Sequence, residues 1–318
     1  MARPGGKVKK NPRVPTTGPP TAAYCRVHIR VLESFLQERG VAILLAGLSA
    51  LMYGAADFCG GLGTRKSTIF PVLVFSQLIG LVLAVVASLV LGQGAPAFRD
   101  LAWGAIAGLC GAAGLAALYT SLATTLVAVA SPIAAVTGAV IPVILGVATG
   151  ERPGSLAWVG IVLAFPAILL LTTGPAGKGK DGLARRAALL GLAAGIGFGL
   201  FFFAISRTSH ESGLWPLAAA RVSTISVVAL FALFSGRSIR PARAGLPIVL
   251  LSGVLDMGAN IAFLLASRLG MLTIAAVVAS LYPGPTVLLA CLVFRERLTA
   301  LRAAGLALAF AGVALISV

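Results

Sequence analysis

Long apolar runs separated by short polar segments are the dominant pattern of the sequence. Runs of about 18 to 24 residues are long enough to cross a hydrocarbon core of roughly 30 Å as α-helices. Ten such runs lie near residues 41–60, 69–91, 101–121, 125–148, 155–173, 187–206, 214–235, 246–267, 271–293 and 301–317. The pattern predicts an all-α membrane protein with ten transmembrane helices.

Composition and charge agree with a chain that lies in a lipid bilayer. Of its 318 residues, 58% are hydrophobic and 11% are charged, whereas a soluble domain is roughly 25% charged. The formal net charge of +16 comes from basic residues in the loops and the tail, where such residues orient helices, so no nucleic-acid partner is predicted. We expect a multi-pass protein of the cell (plasma) membrane.

The tail and the cysteines add little chemistry. Residues 1–24 are rich in Pro, Gly and Lys, and residues 27–39 mix apolar and charged positions. We therefore predict that residues 1–40 form a disordered or interfacial tail. The four cysteines show no CxxC spacing, so neither a disulfide framework nor a metal site is predicted, and no cofactor is expected.

An internal repeat organises the rest of the chain. ERPGSLAWVGIVLAFPAILL, from Glu151, aligns with ERLTALRAAGLALAFAGVAL, from Glu296, with eight identities in 20 positions at an offset of 145. The duplication predicts a first repeat at 41–173, a linker loop at 174–186 and a second repeat at 187–318. Each repeat holds five spans, so the second enters the membrane from the opposite side. Such inverted repeats are typical of secondary transporters.

These motifs also resemble the EamA family of the drug/metabolite transporter superfamily. The resemblance rests on the two five-span halves, an aromatic-Gly pair in the first span of each half, and Glu-Arg after the fourth span of each half. LYPGPTVLLACLVFRERL and Arg221 match the family pattern in the second half, while Ser76 occupies the place of Arg221 in the first. The resemblance implies a polytopic carrier, usually an exporter of amino acids or other small metabolites.

Proline and glycine are concentrated in the fourth span of each half. A proline inside a helix frees a backbone carbonyl, and transporter sites often lie beside such interruptions. The pattern predicts helix interruptions there. A plain kink tolerated by packing is favoured over a contact with substrate as their role, although the two are compatible. The residues are Pro132, Gly138 and Pro142 in the first half and Pro283, Gly284 and Pro285 in the second. The Glu-Arg pairs lie at span ends, where a structural role in the loops is favoured.

Ionisable residues inside the spans mark the candidate site. Asp256 lies near the centre of the eighth span, where an unpaired charge costs on the order of 3 kcal/mol, and Asn260 follows one turn later on the same helix face. Arg221, in the seventh span, is the basic residue in the interior of the spans, since Arg302 lies at the edge of the tenth. Asp57 is the second acid, and because it lies near the end of the first span, a hydrated or capping role is the alternative. Asp256 and Arg221 either form a structural ion pair or face a substrate cavity. An unpaired Asp256 would make a proton a possible coupling ion.

The candidate substrate-binding residues come from the second repeat, except for Asp57 in the first span. We predict that Asp256, Asn260 and Arg221 face a polar cavity bordered by the broken ninth span. The substrate-binding candidates are Asp256, Asn260, Arg221, Tyr282, Pro283 and Asp57. For the aromatic residues, packing or an interfacial belt is the alternative.

Other classes of protein fit the sequence less well than a carrier. Both histidines and all lysines lie outside the spans, and no phosphate-binding Gly-rich loop with Lys is present, so we predict a non-enzyme. The prediction is a secondary transporter of a small organic metabolite by alternating access, with efflux as the direction. A broad-specificity drug exporter and a non-transporting scaffold are the alternatives. Positive-inside counting favours an external N-terminus, and the family resemblance an internal one.

Overall fold

The computed structural model describes residues 22–124, 127–172, 181–240, 245–294 and 300–317. The chain divides into two units, Met1–Gln37 and Glu38–Val318. The disorder predicted for the start of the tail falls on residues 1–21, which lie outside the described residues. All contacts given below lie within the second unit.

The described residues form eleven α-helices. Their bounds are α1 Ala22–Lys66, α2 Ile69–Val90, α3 Phe98–Thr124, α4 Val127–Ala148, α5 Ser155–Thr172, α6 Asp181–Ser206, α7 Trp215–Phe234, α8 Leu246–Leu269, α9 Leu272–Ala279, α10 Pro283–Phe294 and α11 Ala300–Ser317. Among these residues, six helical segments are long and apolar enough to span a bilayer: Gly40–Thr64, Ile69–Val90, Phe98–Leu118, Arg185–Ser206, Trp215–Phe234 and Leu246–Leu269. The predicted all-α, multi-pass membrane protein is therefore confirmed at this level.

The ninth predicted span is broken in the middle, as its prolines predicted. Helix α9 ends at Ala279, and α10 begins at Pro283. Between them the backbone winds more tightly, since Leu281 N donates to Val278 O at 3.2 Å and Tyr282 N to Ala279 O at 3.2 Å. Pro283 fits the first turn of the new helix, because the N–H that proline lacks would have no helical acceptor there.

The interruption predicted for the fourth span is wrong. Helix α4 continues from Val127 to Ala148 through Pro132, Gly138 and Pro142. A single proline removes one backbone hydrogen bond, which the rest of a long helix tolerates when packing supports it. Gly138 shows this support, since a Cβ atom built on it would lie 3.7 Å from the Gly195 carbonyl oxygen of α6.

Close helix packing depends on glycine at several crossings. Gly108 of α3 lies against the Ala220 carbonyl of α7, and Gly253 of α8 lies against the backbone of Ser76 in α2. Small residues let helix backbones approach in a membrane, where lipid tails provide no hydrophobic drive for association. Ser49 and Ser252 add hydrogen bonds between α1 and α8, to the carbonyls of Ala259 at 2.9 Å and Ala56 at 2.8 Å.

Helix bounds recur at the offset of the sequence duplication for α2 and α7. Helix α2 begins at Ile69 and α7 at Trp215, and they end at Val90 and Phe234, so each bound lies within one residue of the equivalent position. The bounds of this helix pair therefore follow the duplication seen in the sequence.

Candidate functional site

An ion pair joins α7 to α8 inside the helix bundle. Arg221 Nη2 donates to Asp256 Oδ2 at 2.6 Å, and the two side chains are 7% and 24% exposed. The sequence left open whether Asp256 and Arg221 form an ion pair or face a cavity. In the structure they form an ion pair. The pair leaves part of the Asp256 carboxylate accessible, while the guanidinium is almost fully enclosed.

A second partner of Arg221 comes from the first half of the chain. Nη1 donates to Gln77 Oε1 of α2 at 2.5 Å, and Nε lies beside Gly80, where a built Cβ atom would come within 3.1 Å of it. Gln77 is buried. Sequence reasoning missed it, although an amide in the otherwise apolar run IFPVLVFSQLIGLVL was a usable signal. A buried guanidinium needs such acceptors, because each unpaired N–H costs free energy.

Asn260 lies one turn beyond Asp256 on α8 and is 2% exposed. Its Nδ2 donates to the backbone carbonyl of Asp256 at 2.7 Å. Its Oδ1 has no hydrogen-bond partner among the described residues. A buried acceptor of this kind requires a donor from water or a ligand, since leaving it unpaired costs about 1 to 3 kcal/mol.

Asp57 of α1 lies near these residues without an ion-pair partner in the described part of the chain. Its side chain is exposed. The preceding residue, Ala56, accepts a hydrogen bond from Ser252 of α8 at 2.8 Å, and Gly54, one turn earlier, packs on Tyr282. The Tyr53 ring, on the same turn as Gly54, lies 6.0 Å from the Phe202 ring. We name the side chains of Asp57, Gln77, Arg221, Asp256 and Asn260 the central cluster.

The helix break borders this cluster. A Cβ atom built on Gly54 of α1 would lie 2.5 Å from the Tyr282 carbonyl oxygen and 2.7 Å from Pro285 Cβ. Thr286 Oγ1 donates to the Gly54 carbonyl at 3.0 Å and lies 3.1 Å from that of Tyr282. Pro283 begins α10 and is buried. The break therefore packs on α1 one turn before Asp57.

A separate polar network links loops from the two halves of the chain. Asp100 Oδ2, in the first turn of α3, accepts from Ser209 Oγ and Ser212 Oγ, each at 2.5 Å. Arg268 Nη2, in the last turn of α8, donates to the Ser209 carbonyl at 2.7 Å. Gln93 Oε1 accepts from Leu214 N at 2.7 Å. We name Gln93, Asp100, Ser209, Ser212 and Arg268 the end cluster; sequence reasoning missed it, because it joins distant loops.

Glu151 has the structural role that its span-end position predicted. Its Oε1 accepts from Leu272 N at 2.6 Å and its Oε2 from Thr273 N at 2.8 Å. These are the first two N–H groups of α9, which lack acceptors within the helix. A carboxylate is well suited there, because the helix N-terminus carries a partial positive charge. Glu296 and Arg297 lie outside the described residues.

Comparison with known proteins shows a fold and a family that the chain resembles. A protein of known crystal structure superposes with a TM-score of 0.72 at 18% sequence identity, over 87% of this chain and 98% of that chain; at this identity the likeness concerns the fold alone. No curated protein sequence matches. Residues 185–318 match the EamA-like transporter family. This match confirms the resemblance predicted from the sequence and supports a membrane transporter, which implies a small-molecule substrate and contact with membrane lipid.

Proposed function

We propose that the protein is a secondary transporter that moves a small organic metabolite, an amino acid or a similar compound, across the cell membrane. The observation that carries the proposal is the central cluster. Two carboxylates, a guanidinium and two amides lie among apolar helices beside a helix break. Ionisable groups at membrane depth are costly, and in transporters they line substrate or ion pathways.

The proposed architecture is a pair of inverted five-span repeats, at 41–173 and 187–318, joined by the linker at 174–186. The helix bounds that recur at the offset of the duplication support it. Equivalent contacts support it further, since Gly54 packs on Thr286 and Gly199 packs on Ile141, and the duplication relates Gly54 to Gly199 and Ile141 to Thr286. An odd number of spans in each repeat would give the two halves opposite orientations in the membrane.

The proposed mechanism is alternating access to the central cluster. The end cluster ties the α2–α3 loop and the first turn of α3, in the first half, to the α6–α7 loop of the second half. Arg268 of α8 donates to the same α6–α7 loop. In our proposal these contacts hold the chain closed at this end and break when the substrate passes there. We infer that the direction is efflux and that the N-terminus is cytoplasmic, because both are usual in the EamA-like family. The chemistry proposed is binding and release, with no covalent step.

Uptake into vesicles that contain only this protein tests the proposal. Purified protein would be reconstituted and given a panel of labelled amino acids and amines. We expect accumulation of at least one compound by the wild type and its loss in Asp256→Asn. Glu211→Gln, the same acid-to-amide change at an exposed position, is the control and should transport normally. Normal uptake by Asp256→Asn would show that the site is assigned wrongly.

A further inference from the structure

The central cluster has an unbalanced negative charge. Arg221 neutralises Asp256 through their ion pair at 2.6 Å. Asp57 has no such partner within the described ranges. It follows Ala56, whose carbonyl accepts from Ser252 Oγ at 2.8 Å, and Ser252 lies one turn before Asp256 on α8. Two acids and one base leave a net charge of −1 when all three are ionised. In a low-dielectric region such an excess attracts a cation strongly.

The hydrogen-bonding capacity left in the cluster is mainly that of acceptors. Arg221 donates from Nη1 to Gln77 and from Nη2 to Asp256. Its Nε has no partner in the described chain, and Gly80 of α2 covers it. No two-pronged face of the guanidinium remains for the carboxylate of a ligand, which is the geometry that makes arginine a strong carboxylate binder. The acceptors remain open, because Asn260 Oδ1 is buried without a partner in the described chain and Asp57 is exposed.

Aromatic side chains lie beside these acceptors. Asp256, Asn260 and Phe263 follow one another at intervals of four and three residues, so they share one face of α8. The Phe263 ring lies 4.3 Å from the Phe202 ring, which lies 6.0 Å from the Tyr53 ring. Tyr53 is one turn from Asp57 on α1. Aromatic faces attract organic cations as well as apolar groups.

We propose that the substrate of this site is an organic cation, a small primary amine, rather than a zwitterion or an anion. This inference rests on the proposed transporter function and narrows its substrate from amino acids and similar compounds to amines. The ammonium group, which has three donors and no acceptor, binds Asp57 and Asn260 Oδ1 next to the accessible part of Asp256. The apolar body of the amine lies against the Tyr53 side of the cluster. An inorganic cation would neutralise the same negative charge, so the experiment must distinguish binding of an amine from binding of an inorganic cation.

The experiment compares three probes that share a phenyl ring and differ in charge. Binding of phenethylamine, phenylalanine and 3-phenylpropionate to the purified full-length chain would be measured by calorimetry, in sodium buffer and in potassium buffer. We expect phenethylamine to bind at least about tenfold more tightly than the other two, since it alone has a net positive charge. Asp57→Asn should weaken it about tenfold, through the loss of a charge-assisted contact. Asp57 makes no described structural bond, so this variant should fold, and Glu211→Gln is again the control.

Each other outcome overturns the inference. Tighter binding of phenylalanine or 3-phenylpropionate would show that the site prefers a carboxylate, and absence of phenethylamine binding would remove the proposed ligand class. Sodium-specific stabilisation that Asp57→Asn abolishes, without an amine effect, would assign the charge to an inorganic coupling ion. None of these binding results contradicts the transporter proposal. That proposal is tested separately by vesicle uptake with Asp256→Asn, which makes no assumption about the charge of the substrate.

Discussion

Helix α4 and the pair α9 and α10 occupy parts of the chain related by the sequence duplication but fold differently. Helix α4 runs without a break from Val127 to Ala148, whereas its counterpart stops at Ala279 and restarts at Pro283. Both pack on a glycine, Gly199 of α6 and Gly54 of α1. The shared contact and the different backbone indicate that the crossing geometry is common to the two halves, while the break belongs to the second.

The polar residues show the same division. Ser76 of α2 occupies the position equivalent to Arg221 of α7, and its hydroxyl donates to the Leu73 carbonyl in its own helix at 3.0 Å. Arg221 instead reaches Asp256 on α8 and Gln77 on α2. The first half thus supplies acceptors and a scaffold, and the second half supplies the ion pair and the break. The two halves therefore share the glycine contact between helices, whereas, of the positions compared, only those in the second half have the charged residues of the ion pair.

Substitution at the two equivalent positions should show the largest contrast. Arg221→Ser leaves the Asp256 carboxylate without its partner, and breaking a buried ion pair costs about 3 to 5 kcal/mol. Ser76→Ala removes one local hydrogen bond worth about 1 kcal/mol. Thermal unfolding in detergent should show a large loss for Arg221→Ser and a small one for Ser76→Ala. Equal losses would contradict the division of roles.

Substitution of Gly54, the glycine of α1 that contacts the break, should have a smaller effect than Arg221→Ser. Gly54→Ala places a Cβ atom 2.5 Å from the Tyr282 carbonyl oxygen, so α1 and the break must move apart. Overpacking of this kind costs about 1 to 3 kcal/mol, and uptake should fall because the break shifts away from the central cluster. Gly47→Ala on the same helix meets nothing within 4 Å and is the control. If both variants transport and unfold alike, the position of the break is unimportant.

Substitution of Glu151, which caps α9, should have the smallest effect on stability. Glu151→Gln removes the charge that faces two backbone N–H groups and turns one acceptor into a donor. Loss of such a cap costs about 1 kcal/mol. The variant should unfold a few degrees lower than the wild type, and Glu211→Gln should be unchanged. An unchanged unfolding temperature for Glu151→Gln would show that the first half does not support the broken helix.

The helices and the family were readable from the sequence because both depend on local pattern. Apolar runs set the helices, and the duplicated Glu-Arg segment pointed to the repeat. The break at Tyr282 followed from Pro283 and Pro285, but the same reasoning failed for α4. Whether proline breaks a helix depends on what packs against the freed carbonyl, and that is a property of the fold.

The candidate site was only partly readable. Asp256 and Arg221 stood out because charge is rare in the spans, yet their pairing required the position of α7 against α8. Gln77 was missed because it is uncharged, although its amide lies in an apolar run. The end cluster was missed because its residues lie in loops and at helix ends, where polar residues are common and only their distant partners mark them. Contacts such as Asp100 with Ser212 join residues that lie far apart in the sequence, and no local pattern encodes them.

The double variant Arg221→Gln/Asp256→Asn tests most directly whether the ion pair belongs to the substrate site. Removing both charges leaves no buried charge unpaired at this pair, so thermal stability should return close to that of the wild type. Uptake into vesicles should stay as low as in Asp256→Asn alone, because the carboxylate that faces the substrate is still missing. A double variant that recovers both stability and uptake would show that the pair only holds α7 to α8, and would contradict the account.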